Sequence, residues 1–360
     1  MSPSPHAIHV APPGHGGVRD YLECLRSQWA SSGKESHLIE LSQDLVSAQS
    51  LLDRVLSLAG SGDQPNAQST FSLLIHFSGY GYERRGLCFW LLREVERAKA
   101  RLGDRLRVVT MFHELFASGP LWGSAFWLSP WQARIARKLA CLSDAIWTNT
   151  ELHGRWLREQ VGPSTPVTIQ PVFSTVGEPE HRAPTSGRES SLVVFGSVST
   201  RRRALAALLP YVESLERQGI TEIIEVGSGE ATPWTAPRLK LRFLGRMEKP
   251  DLRALLERSA FGLIEYPPKY LGKSTVFAAY AVHGCVSINV ADAGHDSDGL
   301  QSGQHFVSLS RDALLPTDPK ALEATATAAF NWYTPHSLPR QATAFAASCG
   351  VQPTQRPDRD

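Results

Sequence analysis

Ala7-Ile8-His9-Val10-Ala11-Pro12-Pro13-Gly14-His15-Gly16-Gly17 decides the architecture. Residues 7–11 suit a buried strand, and they run into a turn of prolines and glycines. That turn opens an amphipathic helix with apolar positions Tyr21, Leu22, Leu25 and Trp29. Strand, glycine turn and helix in this order begin a βαβ unit. Further strands are predicted over 71–77, 107–112, 144–148 and 166–172, with a helix over about 87–101. Short runs of Val, Ile and Leu alternating with helices imply a parallel sheet covered on both faces.

The composition shifts over 177–190, where charged residues and turn formers cluster as in a linker. The alternation then restarts. Strands are predicted over 192–195, 222–226, 239–244, 261–265 and 285–290, and a helix over 201–218. The expected fold is α/β, with two Rossmann-like parallel-sheet domains facing a central cleft. Residues 1–176 are expected to form the first domain, 177–190 a linker, 191–335 the second domain, and 336–360 a terminal helix and tail. The chain's 360 residues suit two domains of about 150 residues each.

With 42% hydrophobic and 20% charged residues, the chain is that of a folded globular protein. A formal net charge of +2 calls for no nucleic-acid partner. The five cysteines are scattered without a CxxC pair, so no zinc site or disulfide framework is expected and the cytoplasm is the simplest compartment. Residues 1–10 lack the pattern of a signal peptide, and no apolar run is long enough to span a membrane. Asp292, Asp296 and Asp298 share a loop without a convincing ligand set, so no metal is expected.

Open parallel sheets bind ligands at the carboxyl ends of their strands, which directs attention to the loops there. Gly14, Gly16 and Gly17 let a backbone approach a ligand at a helix start, or serve a tight packing turn. They do not make the dinucleotide fingerprint GxGxxG, because Arg19 stands where its third glycine belongs. His113 and Glu114 follow the strand over 107–112. They are placed for proton transfer or for holding a hydroxyl, or are a backbone-satisfied histidine beside a solvated glutamate. Tyr80 and Tyr82 offer rings to a sugar face, or belong to an ordinary surface loop.

Gly196 is followed by Arg201, Arg202 and Arg203. Cations at a helix start oppose the dipole, which an anion beside them would explain; the other reading is a solvated basic patch. Lys273, Ser274 and Thr275 open another helix as an anion cradle or a plain cap. The leading glycine of a P-loop would fall at Pro267, so that reading fails. Trp122, Trp127 and Trp131, next to Arg134, Arg137 and Lys138, suit an acceptor or a membrane surface if exposed, and ordinary packing if buried.

In this order along the chain, these residues resemble the GT-B glycosyltransferases, most of all the retaining glycosyltransferase family 4. The resemblance spans residues 8 to about 332. It implies that Gly16 and Gly17 lie near donor phosphates and acceptor, and His113 near the transferred sugar. It further implies that Gly196 with Arg201 or Arg202, and the Gly227-Ser228-Gly229 turn, face the donor, with Arg246 beside the base. The family's two glutamates, eight residues apart, fall at Leu271 and Ala279 and are missing here. Lys273, Ser274 and Thr275 are the substitutes for the phosphate contacts.

The expected function is therefore transfer of a sugar from a nucleotide diphosphate donor, without a further cofactor, with retention as the resemblance implies. The acceptor is a glycan, a lipid-linked molecule or a small molecule, and peripheral contact with a membrane is compatible. Arg202 and Lys273 would offset charge on the leaving diphosphate. A retaining route lets the phosphate take the acceptor's proton, while an inverting one needs His113 or Glu114 as base. Two other classes remain open: a non-catalytic nucleotide-sugar or protein binder, and a dinucleotide-dependent oxidoreductase.

Overall fold

A computed structural model describes residues 5–59, 69–117, 124–236, 239–291, 294–309 and 315–351. The first series of elements is β1 (His6–Ala11), α1 (Gly17–Ser31), β2 (His37–Glu40), α2 (Gln43–Ala48), α3 (Leu51–Ala59), β3 (Phe71–Phe77) and α4 (Gly79–Tyr82). It continues with α5 (Phe89–Leu102), β4 (Leu106–Phe112), α6 (Ser124–Leu142), β5 (Ala145–Thr148), α7 (Glu151–Gln160) and β6 (Val167–Ile169). The second series runs β7 (Glu189–Phe195), α8 (Val198–Leu208), α9 (Val212–Arg217), β8 (Glu222–Val226), β9 (Lys240–Phe243) and α10 (Lys249–Arg258). It ends with β10 (Ser259–Ile264), α11 (Thr275–His283), β11 (Val286–Asn289), β12 (Val307–Ser308) and α12 (Pro319–Tyr333), after which α13 (Leu338–Cys349) closes the described chain.

Among the described residues, the strands form two six-stranded sheets, ordered β2-β1-β3-β4-β5-β6 and β12-β11-β10-β7-β8-β9, with parallel pairing throughout. This is the α/β architecture expected from the alternation of strands and helices. All seven residues of β3 are buried, as a strand packed on both faces requires. Leu73, Ile75, Phe77 and Leu91 belong to one apolar cluster of the first unit. The second sheet carries two such clusters, around Leu205 and around Tyr280.

The expected helix over 201–218 is broken. Pro210 lacks an N–H, and a 3₁₀ turn at Leu209–Tyr211 separates α8 from α9. The start of α8 also lies earlier, where Ser197 Oγ accepts from Thr200 N at 3.2 Å. β2 and β12 carry no strong sequence signal, being four and two residues long.

The chain divides into two compact units, Met1–Gln170 with Leu338–Asp360, and Pro171–Ser337. α13 therefore returns to the first unit. Trp29 Nε1 donates to Ala342 O at 2.7 Å, Tyr21 Oη to Gln341 Oε1 at 2.8 Å, and Phe345 stacks on Trp147 with centroids 3.9 Å apart. The polar stretch 177–190 lies inside the second unit. Arg182 pairs with Glu323, Thr185 N donates to the same carboxylate at 2.7 Å, and Arg188 Nη1 reaches Ser259 O at 3.2 Å. No helix among the described residues is long and apolar enough to cross a membrane.

Candidate functional site

Each sheet has one point where the strand order reverses, and loops leaving the carboxyl ends of the strands there flank a crevice. In the first sheet that point lies between β1 and β3; in the second, between β7 and β10. The two units carry separate groups of candidate residues.

In the first unit, the loop after β1 holds Gly14 and Gly16 at φ of +102° and +141°, conformations that favour glycine. A Cβ added at Gly14, Gly16 or Gly17 would meet nothing within 4 Å, so space lies open above this loop. It touches the loop after β3, since a Cβ at Gly81 would lie 2.8 Å from Pro12 Cγ. In the latter loop Tyr80 is 45% exposed, and its hydroxyl accepts from Gln132 Nε2 at 3.1 Å. Tyr82 corrects the expectation of a second ring open to a ligand. It is buried, packs on Phe77 and Trp90, and donates to Val10 O at 3.2 Å. A short helix, α4, turns its ring inward where a loose loop was expected. Trp122 lies outside the described residues.

His113 sits just past β4, nearly buried, with its backbone N donating to Phe77 O at 3.0 Å. Its Nε2 is 3.2 Å from His76 Nδ1, and His76 Nε2 is 3.1 Å from His9 Nδ1. Three histidines from neighbouring strand positions thus form a row that ends at His113. Burial, followed by the charge of Arg26, pushes His9 down to about 3. Burial and the flanking imidazoles hold His76 well below the ordinary histidine value. Glu114 is exposed and accepts from Ser78 Oγ at 3.0 Å. Sequence reading missed His9 and His76, because strand positions read as core and their alignment with His113 requires the register. Ser78 fell in a loop already singled out, but its bond to Glu114 is visible only in the structure.

In the second unit, Arg201 corrects another expectation. It is completely buried and so cannot face a ligand. Nε donates to Glu225 Oε1 at 2.9 Å, Nη1 to Gly196 O at 2.6 Å, and Nη2 to Ser228 O and Glu230 O at 3.1 and 3.2 Å. Burial would raise the Glu225 pKa, but bonds from Thr232 and Arg201 outweigh it and hold the carboxyl below its usual range. The guanidinium thereby clamps the loop after β7 to the loop after β8. Gly227 N donates to Gly245 O at 2.9 Å, which latches on the loop after β9. Gly227 has no room for a side chain: a Cβ would lie 2.3 Å from Gly196 O. Gly229 is crowded by Val198, 2.7 Å from its virtual Cβ.

The dipole argument for an anion beside the three arginines also changes. Their partners are carboxylates of the protein: Glu225 for Arg201, Glu230 at 3.6 Å for half-exposed Arg202, and Glu265 at 2.8 Å for Arg203. Arg246 is exposed directly after Gly245. After β10, a 3₁₀ turn at Pro268–Lys273 leads into α11. Ser274 is buried and caps that helix, its Oγ accepting from Phe277 N at 3.1 Å; Thr275 is the first helical residue. Lys273 Nζ lies 5.7 Å from the centroid of the Tyr270 ring. Leu271 and Ala279 are buried in the apolar cluster around Tyr280. Among the described residues, no group of three or more His, Cys, Asp or Glu side chains is arranged to hold a metal ion.

No protein-family model matches the chain, and no curated protein is detectably similar to it. Solved structures resemble it at low identity. An alpha-glucosyltransferase (AGT) in complex with UDP gives a TM-score of 0.56 at 14% identity, over 93% of this chain and 96% of that one. An alpha-glucosyltransferase with UDP and a 13-mer DNA gives 0.56 at 12%, over 97% and 100%. The alpha,alpha-trehalose 6-phosphate synthase of Burkholderia multivorans gives 0.57 at 11%, over 96% of each chain. At such identities the likeness is one of fold, and the fold is GT-B.

Proposed function

We propose that this chain is a glycosyltransferase that moves a sugar from a nucleotide diphosphate donor to an acceptor, with retention, in the manner of glycosyltransferase family 4. The observation that carries the reading is the clamp in the second unit. Arg201 and Gly227 hold three glycine turns together beside the reversal point of the sheet, next to the start of α8. Preorganised turns of this kind suit a diphosphate. The solved structures of like fold include transferases with UDP bound, which supports the same reading by analogy.

In this reading Arg202, Lys273 and the amides of Ser274 and Thr275 offset charge on the departing diphosphate, while Gly196, Gly227 and Gly229 let it approach. Arg246 lies beside the base. Gly16, Gly17, His113 and Glu114 belong to the side of the transferred sugar and acceptor, with the Tyr80 ring at its edge. The reaction needs no metal or further cofactor, since cationic side chains and backbone amides do the electrostatic work.

The test is thermal stabilisation by a panel of nucleoside diphosphates and nucleotide sugars, repeated with Lys273→Ala. A ligand at 100 times its Kd adds about 2.7 kcal/mol of stability. Selective stabilisation that the variant loses supports the donor site, and release of free diphosphate with an acceptor library then reports turnover. Binding without turnover would favour a non-catalytic protein, the alternative that the buried Leu271 and Ala279 suggest. No stabilisation by any nucleotide sinks the donor site.

The acceptor is proposed to be lipid-linked, on the strength of α6. Trp127 and Trp131 are 68% and 54% exposed, and Arg134 and Lys138 continue the same face at helical spacing. Arg137 lies beside them, and Glu96 is the acidic group in the adjoining hollow. Exposed indoles with flanking cations suit an anionic bilayer surface. Co-sedimentation with anionic vesicles, but not with zwitterionic ones, is expected, and Trp127→Ala/Trp131→Ala should abolish it. Equal sedimentation of the double variant would refute this surface. No nucleic acid is proposed as acceptor; binding of duplex DNA at physiological salt would reverse that.

A further inference from the structure

His9, His76 and His113 join β1, β3 and the residue after β4 through two nitrogen–nitrogen contacts of 3.1 and 3.2 Å. The paired rings are close to parallel, at 21° and 19°, and their centroids lie 5.4 and 5.5 Å apart. Rings meeting nitrogen to nitrogen reach that spacing only end to end, so each contact lies near the ring planes, as a hydrogen bond to imidazole requires. Tyr21 from α1 stands edge-on to His76 and His113, with its hydroxyl directed to Gln341 of α13. Trp29 of the same helix lies against His9, ring centroids 4.9 Å apart.

Each contact needs one proton. A neutral imidazole carries one proton on one nitrogen, so the row can run in only two directions. In the first, His9 Nδ1–H donates to His76 Nε2, and His76 Nδ1–H donates to His113 Nε2. In the second, every proton moves to the opposite nitrogen. The distinction falls at the inner end, where His9 Nε2 is buried without a hydrogen-bond partner. The first direction leaves a bare lone pair there, and the second leaves an N–H. A buried orphaned N–H is the rarer and costlier of the two.

We propose that His76 and His9 are positioning residues that fix His113 with its proton on Nδ1 and its Nε2 occupied as an acceptor. Whatever His113 contacts through Nδ1, it then contacts as a hydrogen-bond donor. Adding a second proton, at Nε2, would force His76 and His9 to reverse and would leave an orphaned N–H at the buried His9 Nε2. His113 is thus held neutral and unsuited to remove a proton. Burial of His9 and His76 works in the same direction, because it keeps both uncharged at neutral pH. The role at substrate rests on the transferase reading: His113 donates to a hydroxyl or phosphate oxygen and does not serve as a base, in keeping with a retaining route in which the leaving phosphate takes the proton. The tautomer itself does not depend on that reading.

The experiment is long-range proton–nitrogen correlation NMR on the full chain labelled with ¹⁵N-histidine, at neutral pH, with His113 assigned by comparison with His113→Gln. The expected spectrum shows His113 protonated at Nδ1 and bare at Nε2. Protonation at Nε2, or at both nitrogens, overturns the proposal. In His76→Asn the amide nitrogen can replace the Nδ1 donor, so His113 should keep its single form; in His76→Leu both tautomers should appear. An unchanged His113 signal in His76→Leu would refute the positioning role. The wild-type spectrum decides the tautomer even if a variant fails to fold. A protein with the expected tautomer but no transfer activity would defeat the functional reading while leaving this assignment in place.

Discussion

Arg201 shows how far a residue's role depends on where its chain neighbours fold. In the sequence it is one of three arginines at a helix start; in the structure it is buried and bonded to Glu225 and to three backbone carbonyls. Arg201→Met should destabilise the second unit by about 3–5 kcal/mol, because Glu225 would stay buried without its partner. Urea unfolding measures this, and a stability within 1 kcal/mol or so of wild type would rule out the clamp. Gly17 offers the opposite test. Its virtual Cβ meets nothing and its φ is not positive, so Gly17→Ala should leave stability unchanged or raise it by up to about 1 kcal/mol. If ligand passes over this loop, KM should nevertheless rise several-fold; an unchanged KM would show that it does not. The places of Gly17 at a helix start and of His113 just past a strand were legible in the sequence. The burial of Arg201 and Tyr82 was not, since residue type does not say which way a side chain turns.

At the scale of elements, β1 and β3 carry a cost that appears in acid. His9 is held down to about 3, against 6.5 for an unfolded histidine. Between those values the unfolded chain binds a proton that the folded chain refuses, so stability falls as pH falls. The contribution is complete above pH 6.5 and is lost progressively below it, at about 1.4 kcal/mol per pH unit for one such group. His76 acts in the same direction. Denaturant unfolding at pH 7.5 and 5.0 should therefore show a loss of roughly 2 kcal/mol from His9, with His76 adding to it. His9→Leu should reduce that loss, and an identical loss in the variant would sink the assignment. The strands themselves were legible because apolar runs bounded by turn formers survive any context. The break at Pro210 was also written in the sequence, yet an apolar pattern continuing past it suggested one helix.

At the scale of the molecule, α13 is the element that local reading could not place. It follows the second unit in sequence but packs on the first, through Trp29, Tyr21 and Trp147. Phe345 is fully buried there. Phe345→Ala should cost the first unit about 3–5 kcal/mol through lost burial and the cavity left behind. Amide hydrogen exchange resolves where the cost appears: faster exchange in β3 and β4 with β7 and β8 unchanged is expected. Equal acceleration in both sheets would contradict the division into two units.

Periodicity and turn chemistry by themselves determined the α/β class, the two successive series of strands and helices, and which loops follow the carboxyl ends of the strands. These follow from local rules: a strand buried on both faces must be apolar, and a turn with positive φ favours glycine. Tertiary structure alone decided the strand order, the return of α13, the burial of Arg201 and Tyr82, and the row from His9 to His113. Each of those depends on contacts between residues far apart in the chain. Their register and side-chain direction are set by packing, which no local pattern encodes.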